Sequence, residues 1–113
     1  LWNMIHAEIF KDENGNIVKY KIYGHSGYAK TGSDIVCAAV SSVSQAAVLG
    51  LTRVLGIQVG LEIKDAYLEC ILPEKLDECI RQKANIILET MVLTLKEFED
   101  QYSKYVQVLE QEV

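Results

Sequence analysis

Basic residues are in short supply in this chain: 11 lysines and arginines stand against 16 aspartates and glutamates, a formal charge of -5. A general nucleic-acid binder usually carries the opposite excess, so no direct nucleic-acid partner is expected. The surplus gathers from Glu74 onward, where nine acidic residues meet five basic ones. It reads as the solvated face of a helix. Apolar runs are short as well, about six residues at the longest, as from Ile35 to Val40. A bilayer span takes roughly 20, so no membrane crossing is expected. The first residues lack the basic start of a signal peptide. Cysteines number 3, an odd set without metal-ligand spacing. That excludes a disulfide framework and a metal site, and it favours a reducing cytoplasm.

What is present fits one domain. The chain has 113 residues, 50% of them hydrophobic and 24% charged, enough for a real core and too few for two. No repeat, low-complexity tract or linker divides it, so residues 4–113 are read as a single domain. Leu1, Trp2 and Asn3 precede Met4, the expected natural start, and are read as an added remnant without a role.

Ile5, Ala7 and Ile9 alternate with His6 and Glu8, the period of a half-buried strand. Asn14-Gly15 marks a hairpin turn into a second strand, Ile17 to Tyr23. A helix is expected over 34–55, capped by Ser33 and stopped by Gly56. Gly50 within it predicts a close contact with the sheet. Val59 to Lys64 and Tyr67 to Leu72 read as another hairpin, turning near Asp65-Ala66. Pro73 and Glu74 are expected to open a second helix. Its stripe of Leu76, Ile80, Ala84, Ile87, Met91, Leu95, Phe98 and Tyr102 would lie on the sheet. Ile86, Leu88, Val92 and Leu93 make the other faces unusually apolar, which predicts a second burial partner, a copy of the same chain. Tyr105 to Leu109 is read as a closing strand. The order ββαββαβ predicts an α+β two-layer domain, a mixed sheet with helices packed on one face.

The chemistry concentrates between Gly24 and Ser41. His25 lies in a loop with Gly24, Gly27 and Gly32, and Cys37 lies about one turn into the following helix. On a helical wheel Asp34, Cys37, Ser41, Gln45 and Val48 share one edge. Ile35, Val36, Ala39, Val43, Ala46, Ala47, Gly50 and Val54 gather opposite, the side expected to pack on the sheet. A thiol becomes a nucleophile when a base takes its proton and a positive field holds the thiolate. His25 supplies the first and the helix start the second. Amides near Cys37 offer an oxyanion site, and Asp34 or Ser41 can orient the histidine or bind substrate. Tyr28 is read either as a loop anchor or as part of a substrate pocket. His6, Cys70 and Cys79 are read as structural. The glycines form no phosphate loop, because the closing lysine and Ser/Thr are missing.

The run GHSGYAKTGSDIVCAAVS, Gly24 to Ser41, resembles the ribosomal-processing cysteine protease Prp family. Ser26 stands where alanine is also common. The resemblance implies a bacterial cytoplasmic endopeptidase that removes a short amino-terminal extension from ribosomal protein twenty-seven of the large subunit, a step in ribosome assembly. It implies His25 and Cys37 as the catalytic pair, and Gly24, Asp34 and Ser41 at positions tied to the site. It also implies a homodimer, a mobile glycine loop, and an apolar groove near Tyr28 for a hydrophobic and aromatic cleavage motif. No metal or organic cofactor is expected. Two other readings compete: a non-enzymatic assembly factor that binds the same ribosomal protein, and a redox-sensing thiol protein.

Overall fold

The computed structural model describes residues 4–24 and 31–113, with the backbone alone at 31–34. Strands β1 (Ile5–Lys11) and β2 (Ile17–Tyr23) form an antiparallel hairpin. Its turn is organised by Asp12, whose carboxylate accepts from the amides of Asn14 and Asn16 at 2.9 and 3.0 Å. The Asn16 side-chain hydrogen bond holds the Asp12 carboxyl below the usual range. Gly15 takes φ +82°, a conformation glycine adopts without strain.

Helix α1 (Thr31–Leu49) follows and runs into a π-helical turn at Gly50–Val54. Strands β3 (Gly60–Lys64) and β4 (Tyr67–Ile71) make the second hairpin. Helix α2 (Glu78–Gln101) and strand β5 (Val106–Glu112) complete the chain. The sheet order is β3-β4-β2-β1-β5, with β5 parallel to β1 and the other neighbours antiparallel. It follows that α1 connects the parallel strands β2 and β3, and α2 connects the parallel strands β4 and β5. Such connections need a crossover, which the helices provide. The mixed sheet and the order ββαββαβ agree with the expectation.

Alternate strand residues Ile5, Ala7, Ile9, Tyr20, Ile22, Leu68, Cys70 and Val106 form the floor of the core. Helix α2 covers it with Ala84, Leu88, Met91, Val92 and Leu95. The opposite sheet face is polar, with Lys19 and Lys21 near Glu69 at 3.8 and 3.9 Å and the Tyr23 hydroxyl donating to Glu8 at 2.9 Å.

Both helices differ in detail from the sequence reading. The buried row of α1 and its π-turn is Val36, Val40, Ser44, Val48 and Leu51, joined by Ala47; Ile35, Ala46 and Val54 are exposed. The wheel misplaced the face because the helix is apolar nearly all round and a serine sits in the buried row. Ile35–Val54 is in fact long and apolar enough, by length and composition, to cross a bilayer; in this fold one of its faces is core. Gly50 contacts α2 rather than the sheet: a Cβ there would meet Ile87 Cδ1 at 3.1 Å. Finally, α2 opens at Glu78 and not at Pro73. Asp77 is the cap, with extended backbone and its carboxylate accepting from the amides of Cys79 and Ile80 at 2.8 and 3.4 Å.

The capping assignment is testable. Asp77→Ala leaves two amides without their acceptor and should cost about 1 kcal/mol in chemical denaturation. Pro73→Ala, outside the helix, should cost much less. Equal losses would contradict the helix boundary.

Candidate active site

The row Val36-Val40-Ser44-Val48 fixes how α1 is rotated on the sheet. Each residue one step further along a helix turns by about 100°. Cys37, Ser41 and Gln45 therefore form the adjoining stripe and emerge at the flank of the helix. Cys37 is half-buried, whereas Ser41 and Gln45 are exposed. A polar contact reinforces this rotation. The Tyr20 hydroxyl, fully buried in the sheet, donates to the Ser44 carbonyl at 2.9 Å. The Ser44 hydroxyl donates to the Val40 carbonyl at 2.8 Å, so no buried hydroxyl in this pair is left unmade. Burial raises the Tyr20 phenol, with Cys70 beside it adding to the shift.

Beside the stripe lies a cleft of about 270 Å³. Cys37, Ser41, Ser44 and Gln45 form its helical wall, and Ile5, Ile22 and Leu68 its floor. The β3–β4 hairpin closes the far side with Ile63, Lys64, Asp65, Ala66 and Tyr67. None of these hairpin residues was singled out for the site from the sequence. The signal that brings them in is tertiary: β4 pairs with β2 in the register Tyr23↔Tyr67. That pairing sets the Asp65-Ala66 turn beside the end of β2, where the Gly24 amide donates to the Ala66 carbonyl at 3.1 Å. Lys64 pairs with Glu62 at 2.8 Å, which raises its ammonium.

Gly24 lines the same cleft as Cys37 and immediately precedes His25. Its φ is +98°, and a Cβ would run into the Met4 carbonyl oxygen. The residue is thus a glycine for two separate reasons. His25 and Tyr28, together with the glycine loop around them, lie outside the described residues. Asp34 is in the first turn of α1, and its side chain also lies outside the described residues.

Helix α1 begins three residues earlier than expected, which makes Cys37 its seventh residue. The first four amides of a helix lack intrahelical acceptors, and the dipole effect fades beyond the first turn. The helix start thus supplies less of the field at Cys37 than the sequence suggested.

The other candidate groups have structural places. The Nδ1 atom of His6 lies 3.0 Å from Gln107 Oε1, and its ring stacks on Tyr23 at 5.1 Å. Cys70 is buried, which pushes its thiol up to about 11. Cys79 is exposed in the first turn of α2 and does not belong to the core. Among the described residues, no group of three or more His, Cys, Asp or Glu is placed to hold a metal.

The geometry at Gly24 makes a strong demand. Gly24→Ala combines a disfavoured φ with a backbone collision and should destabilise the protein by about 2 kcal/mol. Thermal unfolding measures this. A Gly24→Ala protein as stable as the parent would contradict the close approach to Met4.

The chain is similar to proteins of known family and structure. The family model described as cysteine protease Prp matches residues 4–107. The ribosomal processing cysteine protease Prp of Bacillus subtilis (strain 168) is 33% identical over 107 residues, covering 93% of this chain and 96% of that protein. The crystal structure of SMU.848 from Streptococcus mutans superposes with a TM-score of 0.85 at 26% identity, over 98% of this chain and 97% of that one. The essential ribosomal processing protease Prp of S. aureus, in complex with a covalently linked product peptide, has a TM-score of 0.82 at 22% identity, over 95% and 99% of the two chains. The family model and the Bacillus relative together show that the chain belongs to the cysteine protease Prp family.

Proposed function

We propose that this protein is a cytoplasmic endopeptidase that trims the amino-terminal extension of ribosomal protein twenty-seven of the large subunit. Cys37 is the nucleophile and His25 its acid–base partner. The observation that carries the reading is the cleft itself: Cys37 forms one wall, and Gly24, the residue before His25, forms part of the rim. A ribosomal-processing relative at 33% identity supports the substrate class. The S. aureus neighbour, known with a bound substrate peptide, shares the fold that presents such a cleft.

In the reaction, His25 takes the Cys37 proton and the sulfur attacks the scissile carbonyl. The tetrahedral intermediate expels the amine, which leaves with the proton from His25, and a thioester remains on Cys37. Water, giving up a proton to His25, attacks the thioester and releases the new carboxyl end. Ser41, one turn beyond Cys37 on the same wall, is assigned to the peptide backbone. Asp34 and Tyr28 are assigned supporting positions around the histidine and the peptide. The chemistry balances without a cofactor.

Cleavage of a peptide spanning the extension junction tests this assignment. One cut is expected; Cys37→Ala should abolish it, and His25→Ala should slow it by about 10²–10⁴-fold. Binding without any cut would favour the assembly-factor reading, and a reversible Cys37 disulfide without cleavage would favour the redox reading.

The working unit is proposed to be a homodimer. A second, strongly apolar groove of about 540 Å³ lies between α1 and α2, lined by residues including Val43, Val54, Ile86 and Ile87. Val54 is 78% exposed and Ile86 68%, more than a lone domain usually leaves in one patch. Sedimentation velocity should show a dimer that Ile86→Glu converts to monomer. A parent that sediments as a monomer at all concentrations overturns this part.

A further inference from the structure

The helical layer does not reach β3. Two cross-strand rows on the helix-facing side of the sheet show this. In one, Ile22 pairs with Leu68 and Leu68 with Ile63. In the next, Tyr20 pairs with Cys70 and Cys70 with Leu61. The inner members are all buried, yet Ile63 is 56% exposed and Leu61 45%. Both rows therefore run out from under α1 and end in an uncovered aliphatic side chain.

These two residues are not scattered surface apolars. They stand two apart on one strand, so both point to the same side. Ile63 also lines the cleft that holds Cys37. The uncovered strip is thus a continuation of the cleft, a trough with Ser41 and Gln45 of α1 on one side and β3 on the other. Among the described residues nothing pairs with the outer edge of β3.

We infer that Leu61 and Ile63 are specificity-determining residues, seating apolar side chains of an extended peptide whose scissile bond lies at Cys37. The inference rests on the proteolytic reading and adds where the peptide runs and what it must carry. An extended chain presents alternate residues to one side at the spacing of Leu61 and Ile63. A peptide in this trough therefore makes two apolar contacts, two residues apart. A polar replacement at those positions forfeits both. Lys64 and Asp65, at the hairpin end of the trough, carry opposite charges and set no strong preference for a charged peptide.

A coupling experiment tests this. The probe is a fluorescent peptide of about a dozen residues spanning the extension junction, paired with a version whose apolar residues are replaced by serine. Against the parent peptide, the double variant Leu61→Ser/Ile63→Ser should raise KM about tenfold or more with little change in kcat. Against the serine peptide, parent and variant should differ by less than twofold, because the contact is already gone. Alkylation of Cys37 by iodoacetamide should be unchanged, which separates lost contact from a damaged site. The same cycle is read by fluorescence anisotropy in a Cys37→Ala background. If the parent binds and shows the coupling but never cuts, the proteolytic reading fails and the peptide seat stands. Equal losses for both peptides, no loss, or no binding by the Cys37→Ala protein would each overturn the inference. So would a double variant that turns a dimer into a monomer without coupling, since a second copy would then be what covers the strip.

Discussion

The seating of α1 on the sheet is the constraint on which the site depends. Val36, Val40, Val48 and Leu51 bury there, and each fully buried aliphatic side chain contributes about 1.5–3 kcal/mol. The Tyr20 hydroxyl on the Ser44 carbonyl adds directionality that greasy contact lacks. A rotation of α1 by one residue would bury Cys37 and expose Val36. It would also leave the Tyr20 hydroxyl unmade in a dry interior, at a cost of about 1–3 kcal/mol. The thiol is thus held at the cleft wall by groups that take no part in chemistry. A core tyrosine and a core serine fix where the Cys37 thiol stands.

The strands were legible because their burial is one-sided. Ile5, Ala7 and Ile9 alternate with polar residues, and each is buried as the period demands. Gly15 and Gly56 were legible too, since a positive φ leaves a mark in residue choice, whereas Ala66 takes its positive φ without one. Helix α1 was harder. Apolar residues occur on every side of it, because one flank meets the sheet and another borders α2, and a serine interrupts the buried row. A wheel records composition by angle and has no means to prefer one apolar flank over another. The start of α2 failed for a different reason: Pro73 and Asp77 are both sound openers, and the chain uses the one whose carboxylate finds two amides.

The placement of Cys37 at the flank of α1, away from the centre of the core, was legible, and the cleft around it was not. The run around Cys37 points to a thiol chemistry by local pattern alone. The facing wall comes from residues some thirty positions later, delivered by the pairing of β2 with β4. Nothing in Ile63, Lys64 or Tyr67 as residue types announces a cleft. They become part of one because β2 and β4 are neighbours in the sheet although α1 and β3 separate them in sequence. Gly24 lies between these cases. It is conspicuous in sequence, but the reason for it, the carbonyl of Met4 lying against its Cα, appears only when β1 and β2 are set side by side.

The longer α1 also changes where the thiol must find its activation. A free thiol near pH 7 is only a few per cent thiolate. Had Cys37 stood in the first turn, unpaired amides and the dipole would favour the anion by about 0.3–1 kcal/mol. As the seventh residue it lies beyond most of that field. On the far wall of the cleft, Lys64 is held by Glu62 and Asp65 carries the wrong sign. In the proposed mechanism the weight therefore falls on His25, since a nearby imidazolium brings a whole charge where the helix offers a fraction. That puts weight on Gly24 as well, the residue before the histidine, whose φ of +98° favours glycine.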